Sequence, residues 1–369
     1  MNKGITLGRF MPLTKGHEFM LRMAWSNCTE LTVLLGDSVK DCFTYEQRYG
    51  WVHNYLNSLP KVPGKSWRIV RDQDYDRPTN SDTTGTITDK AFWDFWMDQN
   101  QVYLWDADRV FTSDRYGAEI ADQINKRWPR AGTAKATWFP IDPDRELFPI
   151  SATMVRTAPF ANFHMVSDWA KADIGLTVAV MGAESTGKST MVKKLAKHFN
   201  TTYAPEWGRI ISEARPDLTM EDFNNIVWMQ QSMIWSAQKS GEFVSFTDTE
   251  AIVTSMFAPI YLGEACSQAD RVASGQSTID HYLVLAPTVP RVQDGTRVLD
   301  DEGRMKFHHN LLERLDALEK PYTVITEADY DVRFTEAVKL VERWAYEKAA
   351  TFLKPWRQTV VDAVMGNLI

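Results

Sequence analysis

The stretch GAESTGKST, residues 182–190, has the residue types and spacing for holding a polyphosphate. It fits the pattern G-x-x-x-x-G-K-[ST]. Gly182 and Gly187 allow a tight turn that points backbone N–H groups inward, and those donors, with a helix N-terminus, stabilise phosphate charge. Lys188 adds a point charge, and the Ser189 hydroxyl can ligate Mg²⁺. Glu184, Ser185, Thr186 and Thr190 belong to the same expected ATP-binding loop. An apolar run precedes it and an amphipathic run follows, which is the strand–loop–helix setting the chemistry needs. Further groups suit a phosphoryl transfer. Asp248 ends the run FVSFTD, where a carboxylate beside a phosphate loop holds Mg²⁺ or orients an acceptor. PEWGR puts Glu206 and Arg209 shortly after the loop's helix, where an acceptor is held. PRVQDGTRVLDDEGR, 290–304, reads as a loop whose Arg291, Arg297 and Arg304 form a basic lid over the transferring group.

A second constellation lies near the N-terminus. In GRFMPLTKGHEFML, Gly8, Arg9, Phe10, Thr14, Gly16 and His17 form a loop between an apolar run and a helical pattern. Backbone amides and the His17 imidazole converge there, and the ring can donate a hydrogen bond to a triphosphate. Far downstream, ISATMVR (150–156) carries Ser151, Thr153 and Arg156. Ser151 reads as an N-cap, so the amides after it also suit an anion, and Arg156 is placed to grip phosphate. Ser113, in TSDRYG, falls at a strand C-terminus, on the adenosine side of the expected crevice.

These loops need strands and helices to hold them. Apolar runs at 5–7, 31–36, 67–70, 109–113 and 136–141 read as strands. Helical patterns at 17–25, 44–59 (Thr44 as N-cap), 89–100 and 115–125 fall between them. The rhythm breaks over 158–174 and restarts at 176 with strands at 242–248, 282–287 and 322–326 and a helix over 220–239 beginning near Thr219. Strands alternating with helices predict an α/β fold with two doubly wound parallel-sheet domains. The first, Rossmann-like, spans 1–170 and the second, built on the phosphate loop, spans 171–369.

A chain of 369 residues accommodates two such domains. The net charge of −7 argues against broad attraction to nucleic acid or an anionic membrane. Cys28, Cys42 and Cys266 form no CxxC pair and read as reduced thiols in a cytoplasmic protein. Apolar runs have strand length only, and Arg9, Lys15 and His17 interrupt any signal-peptide core. By composition alone, the 14 tryptophans are core residues.

Together GRFMPLTKGH and ISATMVR resemble the two signature motifs of the nucleotidyltransferase superfamily, with Thr14-Lys15-Gly16-His17 at the histidine-x-glycine-histidine position. With the phosphate loop following in order, the chain resembles the bifunctional nicotinamide mononucleotide (NMN) adenylyltransferase and ribosylnicotinamide kinase family. FPIDPDRELFPISATMVR, FNTTYAPEWGR, FTDTE and the run from Asp294 to Arg297 are similar to the family's stretches. The resemblance implies a Rossmann-like nucleotidyltransferase followed by a kinase, with ATP as co-substrate and Mg²⁺ as cofactor. The kinase would phosphorylate nicotinamide riboside to NMN, with Asp248 orienting or deprotonating the hydroxyl and Glu206 as the alternative. The transferase would join NMN to AMP from ATP, giving NAD and pyrophosphate, with His17, Thr14, Ser151 and Arg156 on the triphosphate. Trp93 and Trp96 match a tryptophan pair near the family's nicotinamide site. Thr14 replaces a histidine that many transferases carry, which should weaken or rearrange that phosphate contact. Longer members carry a DNA-binding repressor domain before the transferase; here the first strand begins at Gly4, so no repressor role and no nucleic-acid or membrane partner is expected. Oligomeric state is left open, a homo-oligomer included. The alternatives are another transferase–kinase fusion, of pantetheine-phosphate or riboflavin type, and a non-catalytic sensor of NAD and ATP.

Overall fold

The computed structural model describes residues 2–38, 41–73, 90–130, 135–215, 217–275, 278–290 and 298–353, with the backbone alone for 90–92. The chain divides into two compact units, Met1–Ala170 joined by the residues from Ala350 onward, and Lys171–Ala349. The last described residues thus belong with the first unit rather than with the 171–369 segment expected from sequence. Phe352 packs against Phe43 with ring centroids 5.3 Å apart.

The first unit holds β1 (Lys3–Gly8), β2 (Glu30–Asp37), β3 (Ser66–Gln73), β4 (Arg109–Thr112) and β5 (Thr137–Pro140), all parallel, in the order β3-β2-β1-β4-β5. Ile5 and Thr6 of β1, on opposite faces, are both sealed from solvent, as are Val33 and Leu34 of β2. That burial on both faces is why these strands read as continuous apolar runs rather than alternating ones. The helices Lys15–Ser26 and Tyr45–Ser58 each start on a capping box, from Thr14 and Thr44 respectively. Each box satisfies two backbone donors that would otherwise be orphaned. The strand order reverses between β1 and β4, and in such sheets the crevice beyond the strand C-termini at that point is where ligands bind. Gly8 and Ser113 flank it.

The second unit holds β6 (Leu176–Met181), β7 (Tyr203–Ala204), β8 (Val244–Asp248), β9 (His281–Leu285) and β10 (Tyr322–Ile325), parallel in the order β10-β9-β6-β8-β7. β6 is buried along its whole length at the sheet centre. The helix Met220–Ser240 starts on a third capping box, between Thr219 and Asp222. The segment read as a lid loop ends differently from expectation. A helix, Asp301–Ala317, begins inside it, with Asp300 as N-cap accepting the Gly303 amide and Asp301 and Glu302 in the first turn. Acidic groups there favour the positive end of the helix dipole. Among the described residues no helix is long and apolar enough to cross a membrane.

Candidate active sites

In the second unit the loop after β6 turns through three left-handed residues, Gly182 (φ +144°), Ser185 (φ +61°) and Gly187 (φ +88°). A Cβ on Gly182 would stand 2.6 Å from the Leu285 carbonyl oxygen, and one on Gly187 would stand 2.9 Å from the Tyr330 ring. Both glycines are therefore required by space as well as by backbone angle. Gly187 is also the N-cap of the helix Lys188–His198. The Lys188 ammonium is buried and donates to the Ala183 carbonyl at 2.9 Å.

Asp248 ends β8 directly beside β6, its register partner being Val180. It is 3% exposed, and its Oδ1 is buried with no hydrogen-bond partner. Burial pushes its carboxyl above the usual range, opposed by the Lys188 charge and by a hydrogen bond with Ser189. A bare carboxylate oxygen beside a serine hydroxyl and a lysine fits a hard cation that takes its other ligands from phosphate and water. Among the described residues no cluster of three His, Cys, Asp or Glu could form an all-protein metal cage. Glu206, N-terminal to the helix Trp207–Ala214, has its carboxyl pushed up to about 7 by burial, with Lys188 opposing and Asp248 reinforcing the shift.

Ser185, Lys188, Ser189 and Glu206 line one pocket with about 1070 Å³ of empty space, its open mouth included. It is also lined by Leu218, Phe223, Ile226, Phe257 and Tyr261, and by Arg209, which pairs with Glu213. The Phe223 and Phe257 rings lie 6.2 and 6.1 Å from that of Tyr261. None of these apolar residues was singled out in the sequence. Their helical spacing reads as ordinary core.

Other expected members are placed differently. Arg304 is no lid cation. It lies in the helix Asp301–Ala317, 3% exposed, and its guanidinium donates to the carbonyls of Glu184 and Val289 and pairs with Asp301. Arg291 and Arg297, with Asp294 and the run to Arg297, lie outside the described residues. The Glu184 carboxylate accepts the Leu299 amide at 3.1 Å, so it secures the segment after the lid. Arg333 escaped the sequence reading entirely, although it is fully buried and bonded to the phosphate loop through the Thr186 carbonyl.

In the first unit Arg156 joins the two distant motifs. Its guanidinium donates to the Met11 carbonyl at 2.5 Å and to the Thr153 hydroxyl at 3.2 Å. Ser167 adds a second tie, donating to Glu18 at 2.6 Å. Ser151 caps the short helix Ala152–Thr157 through the Met154 amide. Thr14 and His17 form the capping box of the helix Lys15–Ser26. His17 donates its amide to Thr14 Oγ1, and His17 Nδ1 accepts the Thr14 amide at 3.1 Å. An Nδ1 that accepts leaves the proton of the neutral ring on Nε2. Burial pushes the imidazole down to about 4, reinforced by the Arg145 charge and opposed by a hydrogen bond with the Pro12 backbone. Phe10, at φ +46° and buried, sets its ring edge-on to His17 at 5.1 Å. Arg9 pairs with Asp41 at 2.8 Å. Ser113 follows β4 directly. Thr112, before it, accepts from the Trp138 indole, and Gly117 packs so close that a Cβ would meet Thr112 Oγ1 at 2.1 Å.

The tryptophan pair is buried. Trp93 and Trp96 are 5% and 2% exposed and sit in the core with Ile5, Leu34, Met97 and Val110. The Trp96 indole donates to Asp72 at 2.9 Å. Apolar area and a buried donor with its acceptor account for both rings as packing. A residue absent from the sequence reading, Arg48, organises the loops instead. Fully buried, it donates to the carbonyls of Arg9, Phe43 and Thr44 and pairs with Asp37 and Asp41, each at 2.9 Å. Its place on an otherwise apolar helix face was the available signal.

The AAA domain family matches residues 177–333. The trifunctional NAD biosynthesis/regulator proteins NadR of Escherichia coli strain K12 and of Salmonella typhimurium strain LT2 are each 28% identical to this chain, over 94% of it and 84% of their own length. Two solved structures share the fold. A NadR protein in complex with NAD and AMP-PNP superposes with a TM-score of 0.62 at 21% identity, and one in complex with NR with 0.63 at 22%. Each comparison covers 93% of this chain and 96% of the other. The likeness extends through both units in the same order, so the chain is similar to NadR proteins along nearly its whole length.

Proposed function

We propose that the chain makes NAD in two ATP-dependent steps, one in each unit. The observation that carries the proposal is a pocket of the second unit whose lining combines the phosphate loop, Glu206 and the aromatic residues Phe223, Phe257 and Tyr261. In the kinase step, ATP lies along the loop from Gly182 to Thr190. Lys188 and the inward amides stabilise charge on the transferring phosphoryl group. Ser189 and Asp248 would hold Mg²⁺, which would supply positive charge to offset that of the phosphates. The 5′-hydroxyl of nicotinamide riboside reaches the γ-phosphate from the Glu206 side. Glu206, with a carboxyl poised near neutrality, takes the hydroxyl proton. The cationic nicotinamide ring rests among Phe223, Phe257 and Tyr261, whose faces attract a cation. The product is NMN.

In the transferase step, the 5′-phosphate of NMN attacks the α-phosphate of ATP, and pyrophosphate leaves. A phosphate dianion needs no general base, so the protein supplies position and charge. His17 donates through Nε2–H, Arg156 and Ser151 line the triphosphate, and Thr14 caps the helix that carries His17. Adenosine lies over Ser113 at the point where the strand order reverses. The test is direct. Purified chain given nicotinamide riboside, ATP and Mg²⁺ should form NMN and then NAD. Formation of neither overturns the proposal, and formation of NMN alone removes its second half.

A further inference from the structure

Arg333, in the helix Tyr330–Thr351, is a fully buried guanidinium whose hydrogen bonds all go to uncharged groups. It donates to the Thr186 carbonyl at 2.9 Å, to the Ala286 carbonyl at 2.7 Å, to Thr288 Oγ1 at 2.7 Å and to the Glu327 carbonyl. Among the described residues no carboxylate pairs with it. A buried cation without a counter-charge is costly, and such a group persists where something compensates it. Burial indeed pulls its pKa below the ordinary arginine value.

The place of the guanidinium says what the compensation is. Thr186 precedes Gly187, the residue that opens the helix behind the phosphate loop. In a trans peptide the C=O and the following N–H point in opposite directions. Pinning the Thr186 carbonyl toward Arg333 therefore aims the Gly187 N–H away from Arg333. The left-handed Ser185 and Gly187 on either side keep that peptide turned. The same guanidinium ties the loop to the end of β9 through Ala286 and to the turn at Thr288 and Glu327.

We propose that Arg333 is a positioning residue for the nucleotide phosphates: it fixes the Thr186–Gly187 peptide as an anion donor, and its uncompensated charge behind the loop is balanced by bound polyphosphate. This rests on the proposed seat of ATP at Gly182–Thr190.

The experiment measures ATP binding by calorimetry, kinase kinetics and transferase kinetics on the full chain, for wild type, Lys188→Ala, Arg333→Met and Arg333→Lys. Wild type must bind ATP in a Lys188-dependent way at the second unit; if it does not, the reading of the ATP seat fails, whatever Arg333 does. Given that binding, Arg333→Met should raise the kinase KM for ATP by about tenfold or more, the scale of one charged hydrogen bond. KM for nicotinamide riboside and the transferase rates should stay unchanged. Arg333→Lys keeps the charge without the fork, so it should recover most of the ATP affinity but not kcat. A passive brace predicts a lower melting temperature with unaltered ATP KM in the folded fraction, and that result overturns the proposal. If Arg333→Met does not fold, Arg333→Lys decides alone: wild-type ATP KM and kcat in that variant also overturn it.

Discussion

His17 Nδ1 accepts the amide of Thr14 at 3.1 Å while Thr14 Oγ1 accepts the amide of His17 at 3.3 Å. This reciprocal pair fixes the helix start and the tautomer of the ring at once. Thr14 is thus the cap that orients the imidazole. His17→Ala should lower the transferase rate by about a hundred- to a thousandfold, the usual loss for one preorganised donor. Kinase rates should not change. Thr14→Ala should cost about 1 kcal/mol of stability as a lost cap, together with a smaller transferase defect, read by thermal melting and steady-state kinetics.

The same ring carries a pH prediction. Its folded pKa, about 4, lies below the ordinary histidine value. The unfolded chain therefore binds the extra proton first as pH falls, so His17 makes the fold less stable from about pH 6.5 downward, with the full effect below its folded value. Near neutrality the ring is uncharged. Ring NMR of the ligand-free protein should show no titration of His17 above pH 5, and His17→Gln should lessen the loss of melting temperature between pH 7 and pH 5. A ring that titrates near 6.5 contradicts this.

The units should be separable in activity. Lys188→Ala removes the charge that meets the transferring phosphate, so phosphorylation of nicotinamide riboside should be lost while NAD synthesis from NMN persists. Loss of both in a folded protein would show that one site serves both reactions.

Trp96 separates a packing role of the tryptophan pair from a nicotinamide-binding one. Its burial beside Met97 and Val110, with the indole bonded to Asp72, predicts that Trp96→Ala costs about 3–5 kcal/mol of stability. In protein that remains folded, KM for NMN relative to nicotinic acid mononucleotide should not move. A selective rise for the charged ring would return Trp96 to the nicotinamide site.

Much of this architecture was legible in the chain itself. Parallel strands buried on both faces appear as unbroken apolar runs, so β2 and β6 stood out, and the capping threonines at 44 and 219 marked helix starts from local chemistry alone. β7, only two residues long, carries no periodicity to detect. Asp300 with Asp301 and Glu302 announced a helix, but the proline- and arginine-rich run before it read as one continuous loop. Arg48 and Arg333 stayed hidden for a different reason. Charge on a helix is expected to face solvent, and only the folded chain shows which carbonyls converge on a guanidinium. The phosphate loop was legible because its function is written in glycine positions, whereas the aromatic wall of Phe223, Phe257 and Tyr261 looks like any buried helix face.

The two carboxylates of the kinase pocket can be told apart by substitution. Glu206 lines the open pocket with a carboxyl raised to about 7, while Asp248 is buried at a strand tip against Ser189. The first is placed to meet the acceptor hydroxyl and the second to meet a cation. Glu206→Gln keeps shape and removes the base, so kcat should fall by about a hundred- to ten-thousandfold, with KM for ATP unchanged and no recovery at high Mg²⁺. Asp248→Asn should instead raise the Mg²⁺ concentration needed for half-maximal rate, and excess Mg²⁺ should restore part of the activity. Steady-state kinetics over a Mg²⁺ series on both variants separates these patterns. If Asp248→Asn shows a loss that Mg²⁺ does not touch, and Glu206→Gln is close to wild type, the two assignments must be exchanged and Asp248 becomes the group that takes the proton.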